Sequence, residues 1–191
     1  MTISDINAEA RALCDADTTS YTAADLLRRV NTGLEMLVGK IINADGTWEY
    51  DDTNYTDLPV GTGTLVEAQE SYSFSSEYLQ IQAIKVKDVN GDWQIVENID
   101  QFSDNLGGVA IEEYFAVTGL PQYYDILGDT IRLYPAPTST AVTLASGLKV
   151  YFQRTASYFV STDTTKVAGF APLYHRILSI GAALDYAVAN E

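Results

Sequence analysis

Cysteine, histidine and positive charge are scarce in this 191-residue chain: Cys14 and His175 each stand alone, and Lys and Arg together number 11. A single cysteine excludes a disulfide framework and a cysteine-based zinc cluster, and it points to synthesis inside a cell. A single histidine leaves one imidazole for every base role that a serine or cysteine nucleophile would need. Against the 11 cations stand 26 Asp and Glu, for a net charge of -15. So acidic a protein repels phosphate backbones, whose binding is built on Lys and Arg, and it is equally unsuited to an anionic membrane surface. No apolar run approaches membrane-spanning length. The opening residues Met1-Thr2-Ile3-Ser4-Asp5 lack the basic start and apolar core of a secretory signal, so the expectation is a protein made and kept in a cytoplasm. No phosphate loop, dinucleotide fingerprint, zinc motif or nucleophile elbow occurs.

What is present is an ordinary folding chain, 47% hydrophobic with a mean hydropathy of -0.03, long enough to bury a sizeable core. Its first part reads as helix. Ser4 can cap a short helix through about Ala16, with Ile6, Ala10 and Leu13 on one face. Thr22 followed by Asp25 is a second helix start, and the helix after it carries Leu26, Leu27, Val30, Leu34, Leu37, Val38 and Ile41 as an apolar stripe. Gly33 and Gly39 weaken that helix locally and permit close packing. The segment 47–59 is too aromatic for a disordered linker and too rich in turn residues for a regular element, and reads as an ordered loop.

From Thr62 the hydrophobic period changes to two. Strands are expected at 62–67, 72–74, 78–87, 93–97, 109–117, 122–127, 130–134 and 148–154, with 98–108 a loop or short helix. Asn90-Gly91 and Gly128-Asp129 serve as tight turns, and Pro135 and Pro137 stop the strand before them. Short strands joined by such turns predict an antiparallel region. After a second polar loop at 158–170, Pro172 opens a last helix carrying Leu173, Ile177, Leu178, Ile180, Ala183, Leu184 and Ala187. Gly181-Ala182-Ala183 is a small-residue patch suited to tight packing. The expected fold is therefore α+β: a helical bundle of two N-terminal helices and the C-terminal helix, with an inserted antiparallel β-domain. The expected division is 1–45 with 170–191 as the helical body and 46–169 as the β-rich insertion with contact loops.

Candidate chemistry is thin. His175 sits near the start of the last helix, where a hydrogen bond between helices or at an interface is the default role for a lone histidine. Asn43, Asp45, Thr47, Glu49, Asp51 and Asp52 cluster oxygens around Gly46, but the offsets do not match a calcium loop. The pairs Asp51-Asp52 and Glu112-Glu113 could serve glycoside hydrolysis only if folding set two carboxyls about 5–10 Å apart. Thirteen tyrosines with Trp48 and Trp93 suit either a sugar-binding face or protein contacts. No catalytic residue, metal site or cofactor is expected. Trp48, Tyr50, Tyr55, Tyr158, Phe159 and Phe170, in the two polar loops, are the candidate interface residues.

The succession of motifs carries a resemblance. D-G-T-W-x-Y-D-D-x-N-x-x-D-x-P at 45–59, L-V-x-x-Q-x-x-Y-x-F at 65–74 and V-K-D-x-N-G-x-W at 86–93 come first. G-L-P-x-x-Y-x-x-x-G-x-x-I-x-L-Y-P-A-P at 119–137, V-Y-F-Q-R at 150–154 and H-x-I-L-x-x-G-A-A-x-D-Y-A at 175–187 follow. In that order they resemble tailed-bacteriophage head-to-tail adaptor (connector) proteins. The resemblance implies a structural virion protein with no enzymatic turnover, assembled in the host cytoplasm. It would form a ring, typically of twelve copies, in the neck of the particle. Its implied partners are the portal protein on one side and a tail, stopper or nozzle protein on the other. DNA would pass through the lumen without specific binding, and no membrane is involved. Adaptors of this type usually run past the D-Y-A helix into a further C-terminal helix or arm. The alternative, from the aromatic content alone, is a carbohydrate-binding or adhesion module of a virion or cell surface. A small hydrolase using the paired carboxylates ranks below both.

Overall fold

The computed structural model describes residues 1–44, 50–100, 113 and 115–190. It is a mixed α+β chain of two units, one formed by Met1–Leu58 with Thr155–Glu191 and the other by Pro59–Arg154.

Among its described residues the first unit holds three α-helices: α1 (Ile3–Leu13), α2 (Ala23–Ile42) and α3 (Arg176–Ala189). The cap of α1 is Thr2 rather than the expected Ser4. Its hydroxyl accepts the Asp5 N–H at 3.2 Å while the Asp5 carboxylate accepts the Thr2 N–H at 2.9 Å, a reciprocal capping box. Ser4 instead donates to the Thr164 carbonyl at 2.8 Å. The helix also ends earlier than expected, at Leu13. Thr22 caps α2 as expected, accepting the Asp25 N–H.

Ile3, Ile6, Ala10, Leu26, Val30, Leu34, Leu178 and Ala182 build one buried cluster with Tyr50, Phe159 and Phe170. Polar bonds stitch α3 into it. Glu9 on α1 accepts from Arg176 Nε at 2.7 Å and from the Ser179 hydroxyl at 2.9 Å. Tyr21 donates to the Ala182 carbonyl at 2.8 Å and stacks on Tyr186. Gly33 of α2 faces Leu178 of α3, where a Cβ would lie 3.5 Å from Leu178 Cδ2, an ordinary contact distance.

Among its described residues the second unit forms a seven-stranded sheet: β1 (Val60–Gly63), β2 (Ser71–Ser73), β3 (Tyr78–Lys87), β4 (Trp93–Asn98), β5 (Tyr123–Leu127), β6 (Thr130–Tyr134) and β7 (Leu148–Arg154). Their order across the sheet is β1-β7-β3-β4-β5-β6-β2. Both hairpin turns use glycines at positive φ, Gly91 at 96° and Gly128 at 62°. Asp88 reinforces the first turn, accepting the N–H groups of Asn90 and Asp92 at 2.9 Å each. Ile84, Val86, Val96, Ile131, Leu133, Leu148 and Val150 bury the inner face.

Two expectations change. The β4–β5 pair is parallel, Glu97 opposite Tyr123, because a long connection rather than a tight turn separates these strands. The first strand lies at Val60–Gly63 instead of 62–67. Leu65 turns into the core and its N–H bonds Leu144 O at 2.9 Å, which ends the ladder with β7. The strand expected at 109–117 falls largely outside the described residues, and 115–117 are not strand.

Candidate assembly surfaces

The two aromatic loops of the first unit are organised around one buried carboxylate. Asp52 is 1% exposed and accepts the Asn54 N–H at 2.9 Å, the Asn54 side-chain amide at 2.9 Å and the Ser157 N–H at 2.8 Å. Donors from both loops thus neutralise a charge that would otherwise be costly to bury. Gly169 completes the pocket, since any Cβ there would overlap the Asp52 carboxylate. Thr53 N–H bonds the Gly169 carbonyl at 3.1 Å, and Asn54 donates to Val167 O at 3.0 Å. The D-D-x-N motif is therefore a loop-to-loop clamp.

The six candidate interface residues fall in different places. Trp48 lies outside the described residues. Tyr50, Phe159 and Phe170 are buried in the unit's own core. Burial, then the neighbouring Asp52 charge, pushes the Tyr50 hydroxyl's pKa well up. Asn31 clamps Phe159 by its backbone, accepting its N–H at 3.1 Å and donating to its carbonyl at 2.9 Å. Phe170 meets the His175 ring edge-on. Tyr55 is half-buried, donating to the Thr155 carbonyl at 3.3 Å. Tyr158 is exposed, with its pKa raised by partial burial and by Glu35.

His175 is buried and structural in its contacts. Its Nε2 bonds the Phe170 carbonyl at 2.8 Å, and Nδ1 faces the Met1 amino group at 3.0 Å. Nδ1 also lies 3.2 Å from the Met1 carbonyl oxygen, and among the described residues no hydroxyl or thiol nucleophile is bonded to either ring nitrogen. Among the described residues no cluster of His, Cys, Asp and Glu could hold a metal ion. The oxygen cluster around Gly46 and the Glu112-Glu113 pair lie largely outside them. No helix of the described residues is long and apolar enough to cross a membrane.

A surface feature emerges on α3, whose apolar residues form two stripes. Leu178, Ala182 and Ala183 face inward. Leu173, just before the helix, is 81% exposed, and Ile177, Ile180, Leu184 (62%) and Val188 (66%) continue that line along the outside. Their spacing of three and four residues makes a continuous outer stripe. Arg176 and Asp185 are the only charged residues between Leu173 and Val188, and Arg176 is turned aside to Glu9. A helix apolar on both sides is a helix meant to be covered on both. The signal in the sequence was the excess of apolar positions over what a single face can hold.

An α+β chain with an uncovered apolar helix face and clamped aromatic loops has the makings of an assembly component. A family model described as SU10 adaptor protein matches residues 1–190, and the chain belongs to that family of phage head-to-tail adaptors. No curated protein matches the chain.

Proposed function

We propose that this chain is a structural, non-enzymatic neck protein that assembles as a ring joining the portal at the capsid vertex to the tail and continuing the DNA channel. The outer stripe of α3 is the observation that carries this reading. Its five large side chains are each 45–81% exposed along one line, a contiguous apolar patch of the kind that marks an interaction site. In our reading the helices of the first unit act as a bundle that packs laterally against its neighbours.

The same unit offers a receiving surface. Glu9 and Gly33 mark the flanks of α1 and α2 that meet α3. Asn7 is about 160° around α1 from Glu9, and Leu27 about 120° around α2 from Gly33. There Asn7, Leu27, Ala23, Ala24, Ile3 and Val160 line a largely apolar groove of about 350 Å³. A ridge and a groove on different flanks make a head-to-tail contact, which closes into a ring when the rotation allows. Twelve copies would carry about -180 formal charge, which suits a lumen that lets DNA pass without adsorbing it. The loops around Tyr55 and Tyr158 are the proposed contacts toward portal and tail, and the virion neck is the proposed location.

The test mixes the full chain with the portal ring of its own phage and measures complex mass by mass photometry. A stable complex carrying a full ring of copies is expected. Leu184→Asp, at an exposed position, should leave the melting temperature within about 2 °C of the parent yet abolish ring formation. A chain that never binds portal refutes the adaptor reading.

A further inference from the structure

The outer face of the β-sheet carries a feature that ring assembly does not explain. In β3, Ile84 and Val86 point into the core, so Lys85 and Lys87 point outward. The register places Lys85 opposite both Ile95 of β4 and Lys149 of β7, and Lys87 opposite Trp93. Tyr151, two residues along β7 from Lys149, shares the face.

Three of the chain's five lysines therefore gather around two aromatic rings and Ile95, which is 68% exposed. Lys149 Nζ lies 4.1 Å from the Trp93 ring centroid, Lys87 Nζ 5.8 Å from the same ring and Lys85 Nζ 4.9 Å from Tyr151. None of the three makes an ion pair among the described residues. This happens in a chain where acids outnumber cations 26 to 11. Like charges directly opposite across strands cost stability, and Lys85 opposite Lys149 is such a pair. Stacking on the rings offsets part of that cost but supplies no counter-charge.

We propose that the outer face of β3, β4 and β7 is a docking surface for an acidic polypeptide segment. Its carboxylates would pair with Lys85, Lys87 and Lys149, and an apolar side chain would rest on Trp93 and Ile95. Charge complementarity selects an anion, and two features favour a polypeptide over nucleic acid. An aromatic and aliphatic centre rimmed by cations has the anatomy of a protein interface, and an exposed isoleucine offers nothing to a phosphate. A net charge of -15 also opposes a long polyanion far more than a segment bearing a few carboxylates. The inference is independent of the adaptor-ring reading.

The experiment uses the full chain carrying Trp48→Phe, so that Trp93 is the only indole. Its fluorescence is followed on titration with a synthetic peptide of about twelve residues bearing six glutamates around two leucines. Matched probes are the same peptide with glutamines and a single-stranded DNA of about equal charge. The glutamate peptide is expected to bind with an affinity that falls as sodium chloride rises, and to bind more tightly than either matched probe. Lys85→Gln combined with Lys149→Gln should weaken it by about tenfold or more. That double variant relieves a like-charge pair, so it should melt at or above the parent's temperature. The proposal is overturned by no binding, by an affinity independent of salt, by equal binding of the glutamine peptide, by preference for DNA, or by an undiminished affinity in the double variant. The salt titration is made on the parent sheet and decides the matter even where the double variant folds poorly.

Discussion

Asp52→Ala is the substitution whose cost follows most directly from the geometry. The side chain is 1% exposed and accepts three hydrogen bonds of 2.8 to 2.9 Å, two of them from the backbone N–H groups of Asn54 and Ser157. Removing it strands those two donors. Each unsatisfied buried donor costs about 1–3 kcal/mol, and release of a buried charge returns part of the sum, so a net loss of about 3 kcal/mol is expected. For a unit of this size that corresponds to a melting temperature lower by about 10–20 °C. Gly169→Ala should also destabilise, for a different reason: its Cβ would overlap the Asp52 carboxylate. Gly169 does not adopt positive φ, so alanine meets no backbone strain and the cost is steric alone. The two effects act on one space. In Asp52→Ala/Gly169→Ala the new methyl enters the volume the carboxylate vacated, so the double variant should be more stable than the sum of the single losses by about 1 kcal/mol or more. Urea unfolding of the four proteins measures this cycle. A loss below about 1 kcal/mol for Asp52→Ala, or strict additivity, would refute the clamp.

Further perturbations test the core and the sheet. The Tyr21 hydroxyl is pushed up to about 12, chiefly by burial, from an ordinary value near 10. The folded state therefore holds a proton that the unfolded chain has lost. Stability from this group is intact below pH 10 and declines as pH rises toward 12, by at most about 1.4 kcal/mol per pH unit. Urea midpoints between pH 9 and 11 would show it, and Tyr21→Phe should flatten the slope; a midpoint rising with pH contradicts the assignment. Asn31→Ala removes both bonds that fix the Phe159 backbone and should cost about 1–3 kcal/mol, with faster amide exchange around Phe159. Tyr72→Phe strands the Val66 N–H, which the hydroxyl accepts at 3.1 Å, and cuts the bond to Gln69 O at 2.9 Å. About 1–2 kcal/mol of the sheet unit's stability should be lost in a chemical melt, and an unchanged midpoint would rule out the bridge.

Local chemistry explains which parts of the fold were legible. Asn90-Gly91 and Gly128-Asp129 dictate their hairpins within four residues, because positive φ is available to glycine almost without cost. Thr22 with Asp25 starts α2 by the same short reach. The parallel β4–β5 pair was not legible, since nothing in either strand encodes a partner across some two dozen residues. Aromatic side chains posed the same difficulty at the candidate site. Tyr50, Phe159 and Phe170 look like interface anchors in a polar loop, yet they fill the first unit's core. Composition reports how much apolar surface a loop carries and not which neighbour receives it.

The outer stripe of α3 and the lysine face share one lesson about what a pattern withholds. Leu184 and Val188 belong to an apolar periodicity that is plain in the sequence, and alternation places Lys85 and Lys87 outward from β3. What periodicity lacks is the non-local register. Only the pairing of β3 with β7 sets Lys85 against Lys149, and only the packing that buries Leu178 and Ala182 leaves Leu184 outside. Both are arrangements that an isolated chain would gain stability by avoiding: an uncovered apolar ridge in water, and an unneutralised pair of ammonium groups amid excess acid. A sequence selected for its own folding alone would place a polar side chain at 184 and a glutamate at 85 or 149. Retaining the opposite at both places is what a chain selected for contact with other molecules would do, through the helical unit by burial and through the sheet by charge.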